Sequence, residues 1–245
     1  MLNNVILEDV LFLDIETVPA ASSYELLDKK MQTLWDKKSK QFRLPEQTPD
    51  DVYERAGIYS EFGKIICISV GVIAEKNPLT LRLKSFYGND EKSLISEFSS
   101  MLTKFSRTNR EALLCAHNGK EFDFPYIARR MIINGLIIPE LLDNAGKKPW
   151  EVKLLDTMEL WKFGDYKNYT SLDLLTSTLG IPTPKDDIDG SMVAGIYYGE
   201  NDIERIVRYC EKDVLAIAQV LLRFMNMPLI MDENIESVTF RPKNR

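Results

Sequence analysis

Residues 10–17 read Val-Leu-Phe-Leu-Asp-Ile-Glu-Thr, an apolar run that ends in two carboxylates two positions apart. A run this short fits a buried strand better than a helix. Successive side chains on a strand alternate between faces, so Asp14 and Glu16 point the same way. α/β folds keep their sites at such strand ends. Two carboxylates held side by side repel each other and lose hydration, and a divalent cation, which prefers oxygen ligands, removes both problems. A strand ending in a solvated polar turn reads the same, so the pair alone does not assign a chemistry.

Working outward, Ile65–Ile73 is a second buried strand, followed by a turn at Lys76-Asn77-Pro78. Leu79–Phe86 alternates Leu-Thr-Leu-Arg-Leu-Lys, the pattern of a strand with one wet face. Asp90 can cap a helix over Glu91–Phe105, with Leu94, Ile95, Phe98, Met101, Leu102 and Phe105 on its apolar stripe. Leu113–Ala116 is another apolar run, and Pro125 opens a helix that stops near Gly135. Helices are expected at Tyr24–Arg43 (stripe Leu27, Met31, Leu34, Trp35), Leu154–Phe163, Ser171–Leu179, Ser191–Tyr198 and Asp202–Phe224, with a less regular tail from Asn226. The order is three strands, a helix, a strand and then mostly helices, which implies an α/β fold with a mixed sheet flanked by helices. One domain over residues 1–245 is expected, with a helical insertion at about 20–60.

The 245 residues are 44 % hydrophobic and 28 % charged, ample for a core and incompatible with disorder over most of the chain. The longest uncharged apolar run, Ile65–Ala74, is half the length needed to span a bilayer, and the N-terminus lacks a secretory pattern, so a cytoplasmic chain is expected. The three cysteines, Cys67, Cys115 and Cys210, are far apart in apolar contexts and read as small core residues, not as a disulfide framework or a zinc knuckle. With His117 as the single histidine, hydrolysis here has to run on carboxylates and metal ions. The net charge of −6 argues against tight nucleic-acid binding by phosphate neutralisation alone, but not against an enzyme whose cations offset an acidic site.

Two further acids stand out. Asp123, in Asn118-Gly119-Lys120-Glu121-Phe122-Asp123-Phe124-Pro125, precedes a helix; it reads equally as its cap or as a site residue. Tyr209 and Asp213 are four apart in the Asp202–Phe224 helix, about 40° apart around its axis. The stripe there is Ile203, Ile206, Val207, Cys210, Val214, Ile217 and Leu221; Asp213 lies at its edge, with no Lys or Arg near it on that face. A carboxylate turned inward is costly unless paired, hydrogen-bonded or metal-bound.

Taken in order, Asp14-Ile15-Glu16-Thr17, Asn118-x(3)-Phe122-Asp123 and Tyr209-x(3)-Asp213 resemble the three motifs of the DEDD superfamily of 3′→5′ exonucleases, which have an RNase H-like fold. The branch that uses histidine in the third motif would carry it at position 208, which is Arg here, so the chain resembles the tyrosine branch. Phe62–Gly71, Asn118–Arg130, Asp186–Val193 and Tyr209–Val214 look like stand-alone proteins related to the proofreading domain of family-B DNA polymerases, a likeness over most of residues 8–225. The resemblance implies a free-standing nuclease that uses two ions of Mg²⁺ or Mn²⁺ to hydrolyse phosphodiester bonds at 3′ ends of single-stranded DNA or RNA, DNA being favoured, and releases 5′-nucleotides. By the same resemblance Asp14, Glu16 and Asp213 hold one ion, Asp14 reaches the second, and Asp123 binds that second ion largely through water. Tyr209 positions the attacking water, and Asn118 and Phe122 line the 3′-terminal nucleotide, although core packing explains Phe122 as well.

Weaker signals do not change this reading. Gly119-Lys120 lacks the rest of a phosphate loop, and Lys185–Gly190 fails as a calcium loop at its first and bidentate positions. Asp156 reads as an extra acid or as a helix cap, His117 as a strand-end residue, and the lysines of Tyr24–Arg43 as a solvated face. Two other functions compete with the exonuclease: a non-catalytic nucleic-acid adaptor, against which all four acids being intact argues, and a metal-dependent hydrolase of small nucleotides, which the net charge of −6 favours over a processive nuclease.

Overall fold

Strand β1 (Val10–Pro19) lies third of six in a mixed sheet of order β5-β4-β1-β2-β3-β6 in the computed structural model, which describes residues 2, 4–165, 169–182 and 188–240. Antiparallel to it runs β2 (Gly63–Lys76), which pairs antiparallel with β3 (Leu79–Tyr87). On the other side β4 (Leu113–Ala116) and β5 (Leu154–Asp156) are parallel, as is β6 (Ile235–Ser237) at the far edge against β3.

The period-2 alternation of β1 divides the core. Leu11, Leu13 and Ile15 pack with Leu94, Ile95 and Phe98 of α2 (Glu91–Thr108) and with Ile127 and Met131 of α3 (Asp123–Ile133). Val10 and Phe12 pack on the opposite face with Val214, Ile217 and Leu221 of the long helix Ile203–Phe224. Asp14 and Glu16 continue that second face. Each large apolar side chain so buried contributes about 1.5–3 kcal/mol, enough for the sheet to hold a pair of acids at its centre.

The expected helices are found with altered bounds. The Tyr24–Arg43 helix is shorter: Tyr24–Leu26 forms a separate 3₁₀ turn, and α1 is Lys29–Ser39, because Asp28 accepts the Met31 N–H at 2.9 Å and starts a new helix there. Leu34 of the expected stripe is exposed, while Trp35 is fully buried against Phe42, Tyr53, Tyr59 and Phe62 in a separate aromatic core. Leu154–Phe163 is corrected to β5 followed by α4 (Thr157–Lys162), since Leu154–Asp156 pairs with β4 before Asp156 caps the helix. Helix α5 is Leu172–Thr178; α6 (Val193–Gly195) then widens into a π-helical turn over Ile196–Glu200, where one helix over Ser191–Tyr198 was expected, and Ile203–Phe224 is α7. Strand β6 lies within the tail read as irregular. All three cysteines are buried and free, and among the described residues no helix is long and apolar enough to cross a membrane.

Candidate active site

The site forms where β1 changes register. Asp14 pairs with Ser69 and Glu16 with Cys67, and then the ladder slips between Glu16 and Thr17. A bulge of this kind disrupts the ladder locally and re-aims side chains beside a site, and pairing resumes from Thr17 to Pro19. Helix α7 reaches the same place because β2 carries glycine beneath it: a Cβ on Gly71 would lie 2.9 Å from Val214 Cγ1. The close approach puts Cys210 Sγ 3.3 Å from Asp14 Oδ2, a thiol donating to a carboxylate. One ligand atom each from Asp14, Glu16 and Cys210 all lie within 4.8 Å of one another.

Asp123 arrives from the opposite face. The helix-cap reading does not hold, since α3 starts at Asp123 itself with no side-chain cap. Instead its Oδ1 accepts the Ile15 N–H at 3.2 Å, tying α3 to the strand between the two β1 acids. Burial lifts the Asp14 carboxyl well above its ordinary range, and Asp213, Asp123 and Glu16 lift it further. Glu16 is raised in the same way, by burial first and then by Asp213, Cys67 and Asp123. Asp123 is pushed up to about 7, chiefly by burial, although backbone N–H groups including that of Ile15 pull against it. Asp14, Glu16 and Asp123 therefore resist ionising together, and the charge of Asp213 adds to the repulsion on each of them. Tyr209 is hydrogen-bonded to Asp213, and burial together with Asp213, Glu16 and Asp14 raises its phenol, which stays protonated.

The segment before α3 is held by Asp156. This buried carboxylate accepts the N–H groups of Asn118 and Lys120, each at 3.0 Å, and those of Met158 and Glu159 at 3.0 and 3.2 Å. Of its two expected roles it takes the cap, and it also fixes the 118–120 turn. Asn118 adopts φ 61°, and its Oδ1 is enclosed with no hydrogen-bond partner among the described residues. Gly119 is required: a Cβ there would lie 2.4 Å from Ala116 Cβ. His117, just past β4, sits 2.9 Å from Thr157 Oγ1 and 2.8 Å from the Thr170 carbonyl, and burial lowers its pKa, so it is a neutral tether of the strand end.

Beside Glu16 opens a cavity of about 450 Å³. Its floor is Ile15, Glu16 and Thr17, and Phe122 enters from one side, its ring 5.4 Å from that of Tyr126. Glu54, Arg55, Gly57 and Ile58, between α1 and β2, form another wall. Lys185–Asp187 of the calcium-like stretch lie outside the described residues.

Residues 58–240, about three quarters of the chain, match the family described as predicted 3′-5′ exonucleases related to the exonuclease domain of PolB. The chain belongs to this family. Its fold is also similar to the family B DNA polymerase from the hyperthermophilic archaeon Pyrobaculum calidifontis, with a TM-score of 0.52 over 89 % of this chain at 15 % identity. The chain spans 24 % of that polymerase's length, so the likeness is one of fold.

The family match takes in Asn118, Phe122, Asp123, Tyr209 and Asp213 and leaves out Asp14 and Glu16, which join them through the pairing of β1 with β2. Sequence reasoning missed Cys210 as a neighbour of Asp14, having read it only as core, and it missed the wall around Arg55. The first was open to inspection, because Cys210 lies on the stripe three residues before Asp213.

Proposed function

We propose that the chain is a metal-dependent 3′→5′ exonuclease that shortens single-stranded nucleic acid, DNA above RNA, and releases 5′-mononucleotides. The observation that carries this reading is the cluster of buried carboxyls of Asp14, Glu16 and Asp123, each raised further by the charge of Asp213, a repulsion that bound divalent cations would relieve. The donor set fits hard divalent ions, Mg²⁺ or Mn²⁺: it consists of carboxylate oxygens, with a single protonated thiol at its edge. Asp14, Glu16 and Asp213 are the ligands we assign to one ion, and Asp14 and Asp123 to a second. When bound, the two ions supply charge neutralisation at the entering and leaving oxygens of an in-line displacement.

The chain's own residues do the rest. Asp123 Oδ1 is held by the Ile15 N–H, which fixes this carboxylate against the strand between Asp14 and Glu16. Tyr209 keeps its proton and orients the attacking water by hydrogen bonding; it is no general base. Phe122 offers an apolar face to the terminal nucleotide in the cavity beside Glu16, whereas Asn118, four residues earlier, lines a different cavity together with Asp156, its Oδ1 without a hydrogen-bond partner among the described residues.

The test is a time course on 5′-labelled single-stranded DNA and RNA oligomers with Mg²⁺, Mn²⁺ or EDTA, run beside a dinucleotide. A metal-dependent ladder shortening from the 3′ end is expected, faster on DNA. Hydrolysis of the dinucleotide alone would move the function to small nucleotides, and binding without cleavage under either metal to an adaptor.

A further inference from the structure

The segment between β1 and β2 carries an exposed cation whose placement the motifs do not account for. Arg55 lies in the 3₁₀ helix Tyr53–Ile58, and its guanidinium carbon sits 4.3 Å from the centroid of the Phe42 ring. Phe42 is itself fixed, stacked on Tyr59 at 5.9 Å and packed against fully buried Trp35 at 5.9 Å. The 3₁₀ helix is tied to the site's own elements: Tyr126 of α3 donates to the Gly57 carbonyl at 2.7 Å, and the Ala21 N–H, just past β1, donates to Tyr53 Oη at 3.3 Å. Arg55 is thus a pre-positioned guanidinium, and it pairs with no carboxylate among the described residues.

Among the described residues it is also the one basic residue lining the cavity whose floor holds Glu16. A chain with net charge −6 and four acids at its centre repels a polyanionic strand at long range. A cation at the cavity rim offsets that repulsion locally, although Glu54 lines the same wall, and a planar guanidinium offers a phosphate two N–H groups at once. Stacking on Phe42 uses the face of the guanidinium and leaves its edge donors free. Resting on the nuclease reading, we infer that Arg55 is the phosphate-binding residue of this site, holding the single strand by a phosphodiester near its 3′ end so that the terminal nucleotide enters the cavity between Phe122 and Ile58. The insertion expected at about 20–60 is then a strand-holding wall, not a passive decoration.

The experiment separates this inference from the catalytic one by measuring binding in an inactive background. Affinity of the Asp14→Ala protein for a fluorescent single-stranded oligothymidylate is measured with Mg²⁺ across a range of salt, beside the Asp14→Ala/Arg55→Ala and Asp14→Ala/Arg55→Lys proteins. Removing Arg55 is expected to weaken binding about three- to tenfold, as for one charge-assisted contact at an exposed rim. The slope of log affinity against log salt should become shallower by about 0.7, the loss of one phosphate contact to a single strand. Lysine should restore the slope and only part of the affinity. Because Arg55 is exposed, melting temperatures should agree within about 2 °C. Equal affinity and an unchanged slope without Arg55 would overturn the inference, as would failure of the Asp14→Ala protein to bind the strand at all. Whether the wild-type protein produces a 3′ ladder is read separately and bears on the nuclease reading alone.

Discussion

Two kinds of buried carboxylate occupy this molecule, and they are supported in opposite ways. Glu91, at the start of α2, accepts from the Ile65 N–H, from two guanidinium nitrogens of Arg130 and from Asn134 Nδ2, and joins three elements. Glu211, on α7, accepts from the hydroxyls of Ser85, Ser237 and Thr239 and so fixes β6 to the sheet. On β1 the pattern reverses. Glu16 receives no hydrogen bond among the described residues, and Asp14 receives only the weak thiol of Cys210. The first pair is complete as it stands. The second lacks such donors, and that difference is what singles it out as the candidate site.

The comparison can be broken most forcefully at Glu91. Glu91→Ala leaves the buried Arg130 guanidinium without its carboxylate and should cost about 3–5 kcal/mol, a fall in melting temperature of roughly 10 °C or more. Glu16→Gln should do the opposite in EDTA at neutral pH, stabilising by about 1 kcal/mol by removing a repelled charge, while activity is lost. A Glu16→Gln protein that melts as far below wild type as Glu91→Ala does would erase the distinction.

Acidity sharpens it further. In the unfolded chain Asp123 ionises near its ordinary value of 3.8, whereas in the fold it holds its proton up to about 7. Between those limits the unfolded state has released a proton that the folded state keeps, so the stability contributed by this group is full on the acid side and is lost as pH rises through the window. In EDTA the melting temperature of the wild type, measured relative to Asp123→Asn, should therefore fall from pH 4 to pH 7, and saturating Mg²⁺ should reverse the fall at pH 7. A relative melting temperature that rises with pH in EDTA would contradict the placement of Asp123 in a cluster of like charges. At the smallest end, Lys40→Ala removes an exposed i,i+4 pair with Asp36, which solvent screens, and should leave the melting temperature unchanged within the scatter of the measurement.

Much of this was legible in the chain itself. The apolar run and the two acids of β1, the alternation of β3 and the long stripe of α7 carry strong periodicity, and each lies where it was read. β5 and β6 were not, because three residues are too few to display a period and pairing with β4 and β3 is what makes them strands. That Asp213 sits at the edge of its stripe was visible as geometry on a helix. That Asp123 turns to Ile15, 108 residues away in sequence, was not, because cap and site place the same residue before the same proline. The wall around Arg55 was hidden for a related reason: its aromatic core gathers Trp35, Phe42, Tyr53, Tyr59 and Phe62 at spacings that match no regular element.

On the nuclease reading, the under-supported carboxylates are the machinery of cation-dependent cleavage. The most direct test of that reading is the initial rate of 3′ shortening of a single-stranded DNA oligomer at saturating Mg²⁺, wild type against Asp14→Ala, with both proteins shown to be folded by their melting curves. A loss of about a thousandfold or more is predicted, equivalent to roughly 4 kcal/mol of transition-state stabilisation. A folded Asp14→Ala protein that cleaves within about tenfold of wild type would contradict the account.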